Sequence, residues 1–175
     1  FDGPPSIQGP EDGEYAIKPL LQLIKKANEE RPSAIIIGCF DDTGLEKARE
    51  VSLCPVLGIG EASFIFSNLH AGQTAVITTV NEAVPVIKKN IENSGYQNQI
   101  NEVIAADVEV LELEFNPAES AMKFALASKL LKPNTKNIIL GCAGAVRIKD
   151  EFESITGYTA FDGVTSAAKL CRALV

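Results

Sequence analysis

Two cysteines of this 175-residue chain stand in the same local sequence, which makes them the first candidates for chemistry. Cys39 follows the apolar run "AIIIG", and Cys142 follows "NIILG" at an offset of 103 residues (142 − 39). The repetition has three explanations, which are buried packing, metal ligation, or two thiols that serve one reaction. A thiol can donate a proton and its thiolate can accept one, so the pair is a candidate for proton transfer.

The other potential metal ligands are sparse. The chain has four cysteines and one histidine, and no two cysteines form a CxxC pair. A structural zinc site needs closely spaced Cys and His ligands, so we expect no metal. A domain of this size does not depend on disulfides, and we expect a cytoplasmic protein with free thiols. Cys54 and Cys171 are interpreted as small buried hydrophobes.

Composition limits the class of partner. The formal net charge is −7, and 46% of the residues are hydrophobic. An acidic chain is repelled by nucleic acid and by anionic membrane surfaces. No apolar run approaches the about 18 residues that a membrane helix needs. We therefore expect neither a nucleic-acid nor a membrane partner, and a small molecule becomes the expected ligand.

The offset of 103 residues extends beyond the two cysteines. It also aligns Gly60 with Gly163 and Ser63 with Ser166. Each half contains, in the same order, a helix, a basic residue with proline, a buried strand, Gly-Cys, a second helix, a short strand, a glycine and a third helix. Agreement in the order of elements means more than a few identical residues, so we interpret the chain as an internal repeat.

Short apolar runs alternate with helical segments along the chain. Apolar runs buried on both faces are typical of parallel strands, and their alternation with helices indicates an α/β fold. We predict two similar parallel-sheet α/β lobes related by a pseudo-two-fold axis, with the active site in the cleft between them. Lobe one comprises residues 1–72 and 158–175, because the C-terminal segment copies a stretch of the first lobe. Lobe two comprises residues 73–157.

Two expectations concern the beginning of the sequence. The segment "PEDGE" at residues 10–14 is predicted to be a solvated loop, followed by a helix with Pro19 near its start. The repeat would place the counterpart of the strand "TAVITTV" (residues 74–80) before Phe1. The first strand and helix of lobe one are therefore expected to be missing from this sequence.

The repeat also predicts where a ligand binds. Ligands of open parallel sheets bind at the carboxyl ends of the strands, and both Cys39 and Cys142 lie there. Each precedes a helix, whose N-terminal field is expected to lower the thiol pKa. Two thiols that face each other suit a reaction with a base on one face of a carbon and an acid on the other. Backbone N–H groups after each cysteine could hold an enolate oxygen between them.

The motifs in this order resemble those of a known family. The stretches "GCFDDTGLEKARE", "PVLGIGEAS", "VITTV", "LGCAGA" and "FDGVTSAAKL" are similar to the Asp/Glu/hydantoin racemase superfamily, in particular its hydantoin and allantoin racemase branch. The resemblance covers nearly all of the chain. It implies a cofactor-independent racemase that acts on a hydantoin-type ring, such as hydantoin or allantoin, or on a related amino-acid derivative. It also implies a homo-oligomer.

The resemblance assigns roles to individual residues. Cys39 and Cys142 match the acid/base pair of the family. Its substrate contacts come mainly from backbone groups and hydroxyls of short loops, which match Phe40, Asp41, Thr78, Thr79, Gly141, Ala143 and Gly144. Relatives begin with a strand that ends in an Asn-Pro-Asn-like motif at the same cleft. This sequence lacks that motif, so substrate binding is expected to depend partly on a segment before Phe1.

Several of these residues keep a second interpretation. Thr78 and Thr79 are also explained by strand propensity. Asp42 is expected to cap the helix "TGLEKARE", and Asp41 stays open between capping and ligand contact. His70, near a helix end, is interpreted as a capping or solvated residue.

Two other functions stay open beside the racemase. Decarboxylases and cis–trans isomerases of the same superfamily share the fold, but a decarboxylase can work with one cysteine, so two in register favour the racemase. A non-catalytic small-molecule-binding protein on the same lobes is the hypothesis from another class.

Overall fold

The structure, a computed structural model, describes residues 3–174, in which helices and strands alternate. The α-helices are Pro10–Glu29 (α1), Leu45–Val51 (α2), Ile59–Asn68 (α3), Val84–Asn93 (α4), Glu112–Phe115 (α5), Pro117–Ser128 (α6), Lys149–Thr156 (α7) and Gly163–Leu174 (α8). Two 3₁₀ turns, Asn81–Ala83 and Ala143–Arg147, precede α4 and α7.

The strands form two parallel sheets. The strands are Ile35–Ile37 (β1), Val56–Gly58 (β2), Gln73–Thr78 (β3), Ile100–Ala105 (β4), Thr135–Gly141 (β5) and Thr159–Asp162 (β6). β1 pairs with β2, and the other four strands form a sheet in the order β4-β3-β5-β6. All of these pairings are parallel. The predicted α/β fold with parallel sheets is confirmed.

The central strands of the larger sheet are buried on both faces. Successive side chains of a strand point to opposite faces, so Ile138 packs with Phe124 and Phe152 on one side of β5. Its neighbour Ile139 packs with Phe64 on the other side. The continuous apolar run "NIIL" therefore reflects a strand enclosed between two helical layers, as the sequence predicts.

The internal repeat is visible in the strand pairing. Ile36 pairs with Leu57 in the smaller sheet, and Ile139 pairs with Phe161 in the larger one. The two pairs are related by offsets of 103 (139 − 36) and 104 (161 − 57) residues. The helices that follow them, α3 and α8, pack against each other. The arrangement is consistent with the predicted two-lobe fold.

The expected division assigns residues 158–175 to lobe one, but the C-terminal strand within this range lies elsewhere. β6 pairs with β5 and so belongs to the larger sheet. Only the helix that follows β6 crosses to the smaller sheet, where α8 contacts β1, β2 and α3. The crossing is mutual, since α3 contacts β5 of the larger sheet. Sheet pairing thus keeps β6 beside β5, and the helices α3 and α8 cover the junction between the two sheets.

The first helix begins earlier than expected. The predicted loop at residues 10–14 is the first turn and a half of α1, which starts at Pro10 and contains Pro19. Proline is favoured in the first turn because it lacks a hydrogen bond donor there, and Glu11 and Asp12 suit the positive end of the helix dipole. The backbone N–H of Gln8 donates to Asp12 Oδ2 at 3.0 Å.

Candidate active site

Both Gly-Cys pairs lie at the carboxyl ends of strands. β1 ends one residue before Gly38, and Cys39 begins the turn that leads to α2. β5 ends at Gly141, and Cys142 begins the 3₁₀ turn before α7. Cys142 is buried and Cys39 is half-buried, and both are free thiols. The same local sequence therefore places both thiols at equivalent strand ends.

A cavity of about 180 Å³ joins the two thiols. The sequence-predicted residues that line it are Cys39, Phe40, Asp41, Thr78, Thr79, Gly141, Cys142 and Ala143. Gly144 is not among the lining residues; a Cβ at Gly144 would lie 3.0 Å from the Cβ of Leu113. The fold thus brings two strand ends, far apart in sequence, to one small cavity.

Sequence reasoning missed five residues that line the cavity. They are Ser6, Ile7, Gly38, Ala83 and Val110. The segment before α1 reaches the other side of the cavity, where the Val110 backbone N–H donates to Gln8 Oε1 at 2.9 Å. The stretch "GPPSIQGP" has only the composition of a loop, so no sequence signal assigned it to the site.

Hydrogen bonds fix the turn after Cys39. The side chain of Asn90 on α4 donates to the Asp41 carbonyl oxygen at 2.7 Å. The Asp42 carboxylate accepts the backbone N–H groups of Gly60 at 2.9 Å and Glu61 at 2.7 Å. Asp42 has a φ of 49°, a left-handed conformation that aspartate tolerates. Asp42 is a capping residue as predicted, but it caps α3 rather than α2.

The two threonines at the end of β3 have different environments. The Thr78 hydroxyl donates to the Gly141 carbonyl oxygen at 2.9 Å and so joins β3 to β5. The Thr79 hydroxyl makes no hydrogen bond to any residue from 3 to 174, although its carbonyl oxygen accepts the N–H of Val108 at 3.1 Å. Thr79 therefore has a hydroxyl that a ligand could use, whereas Thr78 has a structural role.

Burial dominates the acidity of both thiols. It raises the pKa of Cys142 to about 11, although the backbone N–H groups of Gly144 and Ala143 oppose the rise. Burial and then the charge of Asp41 also raise the pKa of Cys39, against the hydrogen bond of its sulfur with Thr43 Oγ1 at 3.4 Å. The expected lowering of the thiol pKa is wrong here, because desolvation outweighs the helix-terminal N–H groups.

Asp41 is the acidic member of the cavity. Burial raises the pKa of its carboxyl to about 6. Its charge raises the pKa of both Cys39 and Cys142, which places it near both sulfurs. At neutral pH the carboxyl is mostly ionised, so the resting cavity holds one anion and two protonated thiols.

The raised pKa values predict slow alkylation at neutral pH. Because the thiolate is the reactive form, the rate at which iodoacetamide modifies Cys142 should rise about tenfold per pH unit between pH 7 and 10. Peptide mass spectrometry after timed quenching measures modification at each cysteine separately. A rate that levels off below pH 9 would contradict the burial argument.

Other candidate groups lie outside the cavity. The ring of His70 packs edge-on against Phe161 at a centroid distance of 4.9 Å. Glu61 pairs with Arg49 on the surface. Between residues 3 and 174, no cluster of His, Cys, Asp and Glu could hold a metal ion. The same part of the chain contains no helix with the length and apolar character needed to cross a membrane.

Comparison with known proteins relates the chain to racemases. Residues 1–171 match the family model described as Asp/Glu/Hydantoin racemase. A hydantoin racemase of Rhizobium meliloti is 34% identical over 176 residues, which cover 99% of this chain and 73% of the relative. The match therefore extends over both Gly-Cys repeats.

Solved structures give the same relationship. Allantoin racemase from Klebsiella pneumoniae superposes with a TM-score of 0.90 at 28% identity, covering 98% of this chain and 71% of that protein. Allantoin racemase from Pseudomonas fluorescens superposes with a TM-score of 0.91 at 25% identity, covering 99% and 74%.

Proposed function

Since the chain belongs to the Asp/Glu/hydantoin racemase family, we propose that it inverts the stereocentre of a hydantoin-type ring by proton transfer between Cys39 and Cys142. The similarity to these relatives shows that it is an isomerase of the racemase type, in the hydantoin and allantoin racemase branch. The observation that carries the proposal is the single cavity lined by both thiols.

The proton transfer needs one thiolate and one thiol. The thiolate of one cysteine removes the proton from the ring carbon that bears the side chain, and the electron pair passes to the adjacent carbonyl as an enolate. The thiol of the other cysteine then gives its proton to the opposite face of the carbon. The two cysteines exchange protonation states in each turnover, so the reaction balances without a cofactor.

The raised thiol pKa suits this chemistry. A buried thiolate with a high pKa is a stronger base than an exposed one, and proton abstraction from carbon needs a strong base. The corresponding cost is that little of this thiolate is present at neutral pH. When the substrate expels water from the cavity, the pKa values of both thiols change together. Backbone N–H groups beside Cys142 are available to stabilise the enolate oxygen.

The small cavity also supports a small cyclic substrate. A volume of about 180 Å³ is below the about 300 Å³ at which typical drug-sized ligand pockets begin. A five-membered ring with a short substituent fits such a space, and Phe40 supplies an apolar wall. Thr79 offers a hydroxyl to a carbonyl or N–H group of the ring.

Solvent exchange tests the proposal. Incubation of a single enantiomer of allantoin or of a 5-substituted hydantoin in D2O should remove the optical rotation while deuterium enters the stereocentre. Polarimetry and proton NMR measure the two events in the same sample. A sample without protein gives the spontaneous rate, and exchange no faster than this blank would refute the racemase proposal. Release of carbon dioxide from an arylmalonate would instead favour a decarboxylase.

A further inference from the structure

The third helices of the two halves, α3 and α8, begin in different ways. β6 ends at Asp162, whose carboxylate accepts the backbone N–H of Thr165 at 2.7 Å in the first turn of α8. An aspartate directly before a helix commonly caps it in this way. β2 ends instead at Gly58, which directly precedes α3 and has no side chain to offer. The N-terminus of α3 therefore needs an acceptor from elsewhere in the chain.

Asp42 supplies that acceptor from the turn after Cys39. Its two carboxylate oxygens accept the backbone N–H groups of Gly60 and Glu61 at 2.9 and 2.7 Å. This carboxylate has space because residue 58 is glycine, since a Cβ at Gly58 would collide with Asp42 Oδ1. The glycine and the aspartate are thus complementary, and the two halves cap the same kind of helix with residues from different places.

The cap creates a link between Cys39 and the larger sheet. The backbone N–H of Asp42 donates to the Cys39 carbonyl oxygen at 3.0 Å, so Asp42 is bonded to the turn through its backbone and to α3 through its side chain. α3 in turn contacts β5, the strand that ends beside Cys142. Within residues 3–174, no side-chain hydrogen bond joins the turn after Cys142 to α8 in the same way. Asp42 therefore connects the position of Cys39 to the sheet that carries Cys142.

We propose that Asp42 is a positioning residue for the reaction, which holds the thiol of Cys39 at the distance from Cys142 that proton transfer to opposite faces of one carbon requires. The inference rests on the proposed function and extends it to a residue that is not among the described residues lining the cavity. Asp42 acts through the turn rather than on the substrate. Misplacement of a reacting group by about 1 Å can cost about 10²-fold in rate, so the loss of this link should be measurable.

The two thiols of one molecule provide the first readout. Iodoacetamide alkylation followed by peptide mass spectrometry gives the modification rate of Cys39 relative to that of Cys142. Asp42→Ala should raise this ratio at least about fivefold, because release of the turn makes the sulfur of Cys39 more accessible. Asp42→Asn keeps one oxygen acceptor for α3 and should give an intermediate ratio.

Deuterium exchange gives the same comparison for the reaction. In the Cys142→Ser background the exchange of substrate hydrogen depends on Cys39, and in the Cys39→Ser background it depends on Cys142. Asp42→Ala should slow the first exchange at least about tenfold more than the second, because it displaces only Cys39. Proton NMR measures both rates.

Two further variants separate positioning from stability. Asp162→Ala removes the corresponding cap of α8, so it should lower the urea concentration at the midpoint of unfolding but leave both ratios unchanged. Gly58→Asp, added to Asp42→Ala, moves the acceptor to the end of β2, as in β6. It should recover the midpoint without recovering either ratio.

Three results would overturn the inference. They are unchanged ratios in Asp42→Ala, equal changes in Asp162→Ala, and ratios that Gly58→Asp recovers together with the stability. Absence of exchange in the wild type would instead refute the proposed function, whereas the alkylation ratio tests the position of Cys39 without any turnover.

Discussion

Replacing either Cys39 or Cys142 by serine is expected to lower the rate of racemisation by about 10²–10⁴-fold, the range that a positioned acid or base contributes. Each thiol serves one face of the reacting carbon, so the loss of one interrupts inversion in both directions. Serine occupies nearly the same space but is a far weaker acid. The measurement is loss of optical rotation by a single hydantoin enantiomer.

Deuterium exchange separates the two half-reactions. A variant with one thiol is expected to retain one-sided exchange, in which deuterium enters one enantiomer without inversion. Cys171→Ser is the matched control, because Cys171 is half-buried on α8 and does not line the cavity. Full racemisation by Cys39→Ser or Cys142→Ser would rule out the two-thiol mechanism.

Gly60→Ala should disturb both stability and activity. A Cβ at Gly60 would meet the Phe40 carbonyl oxygen and the Asp42 carboxylate, so α3 and the turn after Cys39 must move apart. Alanine gains about 1 kcal/mol of helix propensity, but overpacking against backbone costs more, and we expect a net loss of about 2 kcal/mol in the free energy of unfolding. Urea denaturation measures this loss.

Gly163→Ala separates the effect on the site from the effect on the fold. A Cβ at Gly163 would lie 2.6 Å from the Ile59 carbonyl oxygen, at the contact of α8 with α3. It should cost similar stability but leave racemisation less affected, because the turn after Cys39 is not touched. Gly3→Ala, with no atom within 4 Å of the new Cβ, should change neither property. Equal activity of Gly60→Ala and the wild type would show that the turn tolerates displacement.

Acidity at the site depends on desolvation. The sequence correctly places the thiols before helical turns, whose N–H groups favour a thiolate. Those groups do act on Cys142 through Gly144 and Ala143. Burial outweighs them, because transfer of a charged sulfur from water costs more than two N–H groups return. The depth of a residue is set by neighbours distant in sequence, so its sequence motif does not reveal it.

The sequence alone determined the parallel α/β architecture and identified the two cysteines as a pair. Both conclusions follow from local periodicity and from an internal repeat, which identical strand ends such as "IIIGC" and "IILGC" make visible. Hydrophobic pattern predicts strands such as β5, because a run buried on both faces must be apolar throughout.

Only the tertiary structure decided how the elements meet. It pairs β6 with β5 while sending α8 to α3, it directs the Asp42 cap to α3, and it brings Ser6 and Val110 to the cavity. These are contacts between segments far apart in the chain, selected by shape and by the burial of apolar surface. The same long-range packing shields Cys39 and Cys142 from water and so sets their pKa. It also places no lysine, arginine or histidine among the described residues that line the cavity with Asp41.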